Sequence, residues 1–249
     1  AIPKYISVGM IIEAGFDMEM LVRIVESIAK TAKEAGVCVV TGDTKVVEGG
    51  GADGIFINTT GIGVFSGDRP PLPQRIAAGD KIIISGFMAS HGMAVMAARE
   101  NMGFTPPIKS DVAPLAALAD KVLQTGCVVN AMRDPTRGGV AATLCEWVTG
   151  DTDIVIFENS LPVRPDVSAA CEILGMDPLY IANEGIMLLS VPGSCADNVL
   201  MSMRSSDDGK NAAIIGEVRK GSGNVYAVTE YGTGRKIMMP RGELLPRIC

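Results

Sequence analysis

At 249 residues, with 22 lysines and arginines against 28 aspartates and glutamates, the chain carries a formal net charge of -6 and gathers neither sign into a long block. That excludes the basic surface by which proteins hold nucleic acid or anionic lipid. Hydrophobic residues make up 47%, enough for one large or two ordinary soluble globular domains. The apolar stretch 181–191 is broken by Asn183, Glu184 and Gly185, far short of the ~20 apolar residues of a membrane span.

Taken in chain order, Tyr5–Ile12 reads as a strand, and a strand so close to Ala1, with no methionine ahead of it, is expected of a chain shortened at its N-terminus. No basic-then-apolar secretory pattern opens it. From Asp17 to Ala35 the apolar positions Met18, Leu21, Val22, Val25, Ile28, Ala29 and Ala32 recur at helical spacing, with Asp17 as N-cap and Gly36 as the stop. A short strand at 37–40 then runs into TGDTKVV, and EGGGADG at 48–54 predicts a hairpin turn into a strand over 55–65. The segment 67–79, with Pro70, Pro71 and Pro73, has the composition of an inter-domain linker. It separates the remaining part of an N-terminal domain (1–66) from a second domain (80–238), with 239–249 as a flexible tail.

In the second domain the pattern predicts strands at 81–85, 128–131, 153–157, 185–191, 212–218 and 224–228, and helices at 92–101, 112–124, 138–148, 166–174 and 195–205. This is a mixed α/β or α+β domain. The six cysteines, at 38, 127, 145, 171, 195 and 249, form no CxxC pair, and His91 is the only histidine, so zinc-ligand spacing is lacking. Cys38 and Cys127 adjoin apolar runs and are expected to be buried thiols of a reducing cytoplasm. Cys249 is different, because it ends a polar, proline-containing tail.

Three motifs have residue types suited to phosphate and proton chemistry. In VTGDTKVV (40–47) a strand delivers Gly42, Asp43, Thr44 and Lys45 at its carboxyl end, where Asp43 can hold magnesium and Lys45 can meet phosphate or move a proton. A β-turn with a surface ion pair accounts for the same residues. In RDPTRGGV (133–140) a strand exit and a double glycine, Gly138 and Gly139, open a helix; its free amides and Arg137 suit phosphate. Capping by Asp134 and Thr136 is the plain alternative. In ANEG (182–185) the polar pair Asn183 and Glu184 sits between apolar runs, so Glu184 is either a base or the partner of an arginine. His91 reads as a helix cap or a satisfied core residue.

Together, VTGDTKVV, RDPTRGGV, ANEG and the terminal LPRIC closely resemble the HypE family of hydrogenase maturation proteins. That family falls in the PurM-like superfamily of aminoimidazole ribonucleotide synthetase and selenophosphate synthetase. The resemblance spans the chain, and the PRIC ending is its branch-specific part. It implies a PurM-like two-domain architecture with an incomplete N-terminal domain. It further implies that Cys249 receives a carbamoyl group from the carbamoyltransferase HypF, and that ATP then drives its dehydration to a thiocyanate. By the same implication the cyanide passes to iron on the HypC–HypD complex.

By the same resemblance Lys45 and Glu184 lie near the modified cysteine and assist amide deprotonation. Asp43 serves as the magnesium ligand, and Thr44, Asn183 and the Asp134, Thr136, Arg137, Gly138 and Gly139 loop serve ATP. Family members carry a further stretch ahead of AIPKY with ATP-binding aspartates and strands of a homodimer barrel. This chain is therefore expected to bind ATP poorly and to lack turnover. Two other readings stay open: another phosphate-activating synthetase or kinase of the superfamily, which would not need Cys249, and a non-catalytic scaffold for maturation partners.

Overall fold

The computed structural model describes residues 1–65 and 70–240. Two compact units divide at Arg69/Pro70.

The first unit is one sheet and one helix. Strand β1 (Ile2–Glu13) lies between β2 (Cys38–Val47), to which it is parallel, and β3 (Ile55–Val64), to which it is antiparallel. Parallel neighbours need a crossover, which helix α1 (Met18–Glu34) supplies; the Asp17 carboxylate caps it by accepting the Met20 N–H at 2.7 Å. The turn before β3 closes on Glu13, whose carboxylate accepts the Gly50 and Gly54 N–H groups. Strand β2 does not end at Val40 as expected but runs on through TGDTKVV. Each residue from Thr41 to Val47 is in register with β1, from Ser7 to Glu13. Cys38, at the open start of this strand, is exposed, and Cys127 is half-buried, so neither is the buried thiol that its apolar neighbours suggested.

The second unit is built on a sheet that, among the described residues, has the order β10-β9-β6-β8-β4-β7-β5. Its strands are β4 (Asp80–Ile84), β5 (Ala131–Arg133), β6 (Thr152–Phe157), β7 (Leu188–Pro192), β8 (Ala213–Lys220), β9 (Val225–Val228) and β10 (Gly234–Ile237). All pairs are antiparallel except β6 with β9. Its helices are α2 (Ser90–Arg99), α3 (Ala116–Leu123), α4 (Gly139–Trp147), α5 (Pro165–Leu174) and α6 (Ala196–Arg204).

Both faces of this sheet are covered, which is why its central strands are apolar without alternation. Ile82, Ile84 and Leu188 pack with Val140, Leu144 and Trp147 of α4. Ile83, Leu189 and Val191 pack on the other side with Leu118 and Val122 of α3 and Val199 and Met203 of α6. Helices α2 and α5 share a third cluster with Ile108 and Ile181.

Further elements depart from expectation. Helix α3 is shorter at its start because Pro114 disfavours helix at the residue before it. Strands β5 and β7 begin later than predicted, and β10, with the polar sequence GRKI, was not anticipated. The linker is also less than 67–79, since Leu72 donates its N–H to Asn130 O at 2.8 Å and Ile76 is buried in the second unit's core. No helix among the described residues is long and apolar enough to cross a membrane.

At the start of β4 the buried carboxylate of Asp80 joins three segments. It accepts from Asn130 Nδ2 at 2.8 Å, Ser190 Oγ at 2.8 Å and the Ala77 N–H at 3.3 Å. Removing it strands those donors, so Asp80→Ala is expected to lower unfolding stability by about 2–4 kcal/mol in urea titration, and Asp80→Asn by less.

Candidate active site

The reactive groups of the second unit collect around one buried amide. Asn183 is 0% exposed and uses its side chain fully. Its Oδ1 accepts the Ala89 N–H at 2.7 Å, and its Nδ2 donates to Pro135 O at 2.9 Å and Ile181 O at 3.0 Å. One side chain thereby ties the entry to α2, the loop between β5 and α4, and its own segment.

Glu184 follows and is only partly buried. Burial raises its carboxyl above the ordinary glutamate range; His91 and Arg137 pull it back, while Asp111 and Asp134 push it further up. The structure thus brings Asp134 and Arg137 to Glu184 across about 50 residues of sequence, as expected of parts of one site.

The double glycine has a different reason from the one its sequence suggested. Gly138 and Gly139 both have positive φ, 72° and 63°. A Cβ at Gly139 would stand 2.6 Å from Ile181 O and 2.7 Å from Leu179 O. Helix α4 therefore starts hard against the turn Pro178–Tyr180, and Gly139 offers no open backbone to a ligand. Thr136 accepts the Gly139 N–H on its carbonyl at 3.0 Å, closing the turn, while Asp134 and Arg137 are exposed at its outer edge.

Two groups that carried no sequence motif join the site. The His91 ring, in the first turn of α2, meets Ser110 Oγ through Nδ1 at 2.9 Å, and Ser110 Oγ also accepts the Val112 N–H at 3.1 Å. His91 Nε2 is buried with no partner, and the N-cap of α2 is Ala89 with no side-chain cap, so the histidine is neither the helix cap nor the satisfied core residue that its sequence context suggests. Asp111 accepts the Glu184 N–H on Oδ1 at 3.4 Å, and burial raises its carboxyl. The only sequence signal for Asp111 is a lone acid in the loop KSDV between Pro107 and Pro114.

In the first unit, Asp43 and Lys45 are two apart on β2 and share a face, which Thr44 does not. By register they stand beside Gly9 and Ile11 of β1 and on the face of Asn58 and Phe56 of β3, opposite the buried Val8 and Ile12. They are mid-strand, not at a strand's carboxyl end and not in a turn. Cys249 lies outside the described residues. No cluster of three or more histidine, cysteine or acidic side chains suited to a metal occurs among the described residues.

Two outcomes follow from this geometry. Asn183→Ala leaves a buried N–H and two carbonyls unpaired and is expected to lower stability by about 2–4 kcal/mol in urea titration. Glu184→Gln is expected to do the reverse. A carboxyl raised in the fold weakens the fold as pH rises from the ordinary glutamate range through the raised value, and the full penalty persists above it. The variant should therefore melt higher than the parent by about 1–3 °C near pH 8, with the gap closing near pH 4, in paired scanning calorimetry.

Residues 1–65 match the N-terminal domain of AIR synthase related proteins and residues 77–228 match their C-terminal domain. The carbamoyl dehydratase HypE of Rhizobium leguminosarum bv. viciae is 46% identical over 252 residues, covering 100% of this chain and 72% of that protein. A solved HypE–HypF complex superposes with a TM-score of 0.93 at 47% identity, over 96% of this chain and 79% of that one. HypE in complex with ATP gives a TM-score of 0.94 at 42% identity, over 100% and 76%. Likeness of this depth, through both domains, makes the chain a member of the HypE carbamoyl dehydratase family.

Proposed function

We propose that this chain acts in [NiFe] hydrogenase maturation, in the cytoplasm, by dehydrating an S-carbamoyl group on Cys249 to a thiocyanate with ATP and Mg2+. The observation that carries the reading is a desolvated Glu184 carboxylate, held beside Asp134 and Arg137, in a chain 42–46% identical to carbamoyl dehydratases along its whole length.

An amide oxygen is a poor leaving group. ATP supplies the phosphoryl group that turns it into one. The nitrogen must then give up two protons as the carbon–oxygen bond breaks, phosphate departs and the carbon–nitrogen triple bond forms. Glu184 is assigned as a base, and its raised carboxyl suits it to take a proton near neutral pH. Lys45 assists the deprotonation and offers its charge where negative charge develops.

Arg137, Asp134 and Thr136 serve the phosphates, with Gly138 and Gly139 shaping the loop, and Asn183 holds that loop to Glu184. Asp43, a hard oxygen donor on an open face shared with Lys45, fits magnesium together with phosphate oxygens; Thr44, on the other face, fits less well. HypF is the source of the carbamoyl group, and the HypC–HypD complex is the cyanide acceptor. A homodimer is supported by the apolar residues that the first unit leaves exposed, among them Ile11, Val40, Phe56 and Ile62.

The test is to incubate this chain, extended to the full length of its HypE relatives, of which it covers 72%, with the carbamoyltransferase, carbamoyl phosphate and ATP and to follow the mass of the C-terminal peptide. Carbamoylated, then cyanated, Cys249 is expected, with the carbamoyl form accumulating in Lys45→Ala and Glu184→Gln. A Cys249 unmodified throughout rejects the reading in favour of a scaffold or another phosphate-activating enzyme.

A further inference from the structure

Two thiols of the second unit meet where α3 leaves and α6 begins. The chain turns out of α3 through Gly126, at φ 71°, into Cys127. Cys195 ends the short turn Gly193–Cys195 and is the N-cap residue of α6. The Asn198 side chain, in the first turn of that helix, donates from Nδ2 to Cys127 Sγ at 3.6 Å. A side chain at the third helical position reaches back toward the N-cap, so this bond sets Cys127 Sγ over Cys195. In return, the N–H of Val128, the residue after Cys127, donates to the Cys195 thiol, and the two thiols interact directly.

Both cysteines are half-buried. Cys127 packs against the core cluster that contains Ala196 and Val199 of α6, so one side of the pair is held by packing while the other stays open to a small reagent. The pair is also asymmetric. Cys195 chiefly holds the Cys127 thiol below the usual cysteine range; burial opposes it, and Thr125 and Asn198 add to it. Cys195 is pushed up by Cys127 and by burial. The N-terminus of α6 favours negative charge at the same place. One sulfur is thus readied as a thiolate, and its neighbour is kept as a thiol. Cys145 and Cys171, by contrast, are both pushed up by burial.

We propose that Cys127 and Cys195 form a redox modification site, a dithiol that low-molecular-weight disulfides oxidise to an intramolecular Cys127–Cys195 bond. With oxidised glutathione as the oxidant, the Cys127 thiolate attacks one sulfur, forms a mixed disulfide and expels the first glutathione thiolate. Cys195 then gives its proton to solvent and attacks the Cys127 sulfur, expelling the second. The two protein thiols lose two electrons and two protons, and the small disulfide takes them up as two thiols. Neither cysteine takes part in the carbamoyl chemistry proposed above, so the site stands or falls apart from it.

The bond would close a loop that carries β5, α4, β6, α5 and β7, and with them Asp134, Arg137, Asn183 and Glu184. Joining the ends of so long a stretch restricts the unfolded chain more than the folded one. Under reducing conditions the dithiol is the resting form, as for other redox-sensing pairs. When the surroundings turn oxidising, the bond fastens the segment that carries the candidate site and leaves the residues of that site chemically untouched.

The experiment takes the full-length protein, reduced and freed of reductant, and holds it with oxidised glutathione near neutral pH. Free thiols are then alkylated and the peptides mapped by mass. The peptide of Cys127 should appear linked to that of Cys195, and dithiothreitol should separate them. The linked form should melt about 5–10 °C above the reduced form in calorimetry without reductant. Cys195→Ser should stop at a glutathione adduct on Cys127, formed about threefold or more faster than the adduct on the exposed Cys38. Cys127→Ser should give no linked peptide. If Cys38 acquires glutathione while Cys127 and Cys195 stay unlinked in the parent, the two are packed thiols and no redox site. Linkage of either to another cysteine, or a linked form that melts below the reduced one, rejects the proposal as well.

Discussion

The site depends on the side-chain amide of Asn183. A buried amide has to be paired, and here it is paired with groups from three separate segments: the entry to α2, the loop before α4, and the irregular stretch that contains it. Asn183 is wholly buried while its neighbour Glu184 is only partly so. The fully satisfied residue and the partly desolvated one are thus adjacent. Glu184 acquires its position beside the hydrogen bonds that its neighbour Asn183 makes.

The same neighbourhood contains two carboxyls raised by burial, Asp111 and Glu184, with His91 and Arg137 opposing the shift. Keeping two such acids close lowers the stability of the fold, and the surrounding core is what tolerates it. Trp147, Leu144 and Val140 of α4 and the isoleucines of β4 are almost wholly buried and form the core from which α4 rises. Close approach at Gly139 serves the same end, since it lets α4 begin against the turn that leads to Asn183. Position here comes from packing, not from loop freedom.

Much of this was legible from the chain alone, for identifiable reasons. Helix α1 announces itself by apolar spacing and an aspartate cap. Strands β4 and β7 announce themselves by apolar runs, because both of their faces are covered. The motifs RDPTRGGV and ANEG stand out locally, but nothing local says that they meet, and their contact is made through Asn183 and Pro135. Asp111 and Ser110 were invisible because a lone polar pair in a proline-flanked loop looks like any solvated turn. The apolar run suggests that β2 ends at Val40 because Gly42 and Asp43 are poor strand residues taken singly, and long-range pairing with β1 overrides that preference. Strand β10 was missed because GRKI has almost no apolar content; its partner β9 supplies the reason to be extended.

The two sheets also differ at their margins. In the second unit the outermost strands are β5, three residues long, and β10, four residues long, the latter bearing Arg235, whose guanidinium is engaged by Glu158 and Asp177. Short, charged margins offer little backbone to a foreign strand. In the first unit the outermost strands, β2 and β3, each run ten residues and carry exposed Val39, Val46, Ile57 and Val64. Growth of a sheet by a strand from another polypeptide is thus confined to one half of the molecule, and the half that contains Glu184 is left free of that kind of competition.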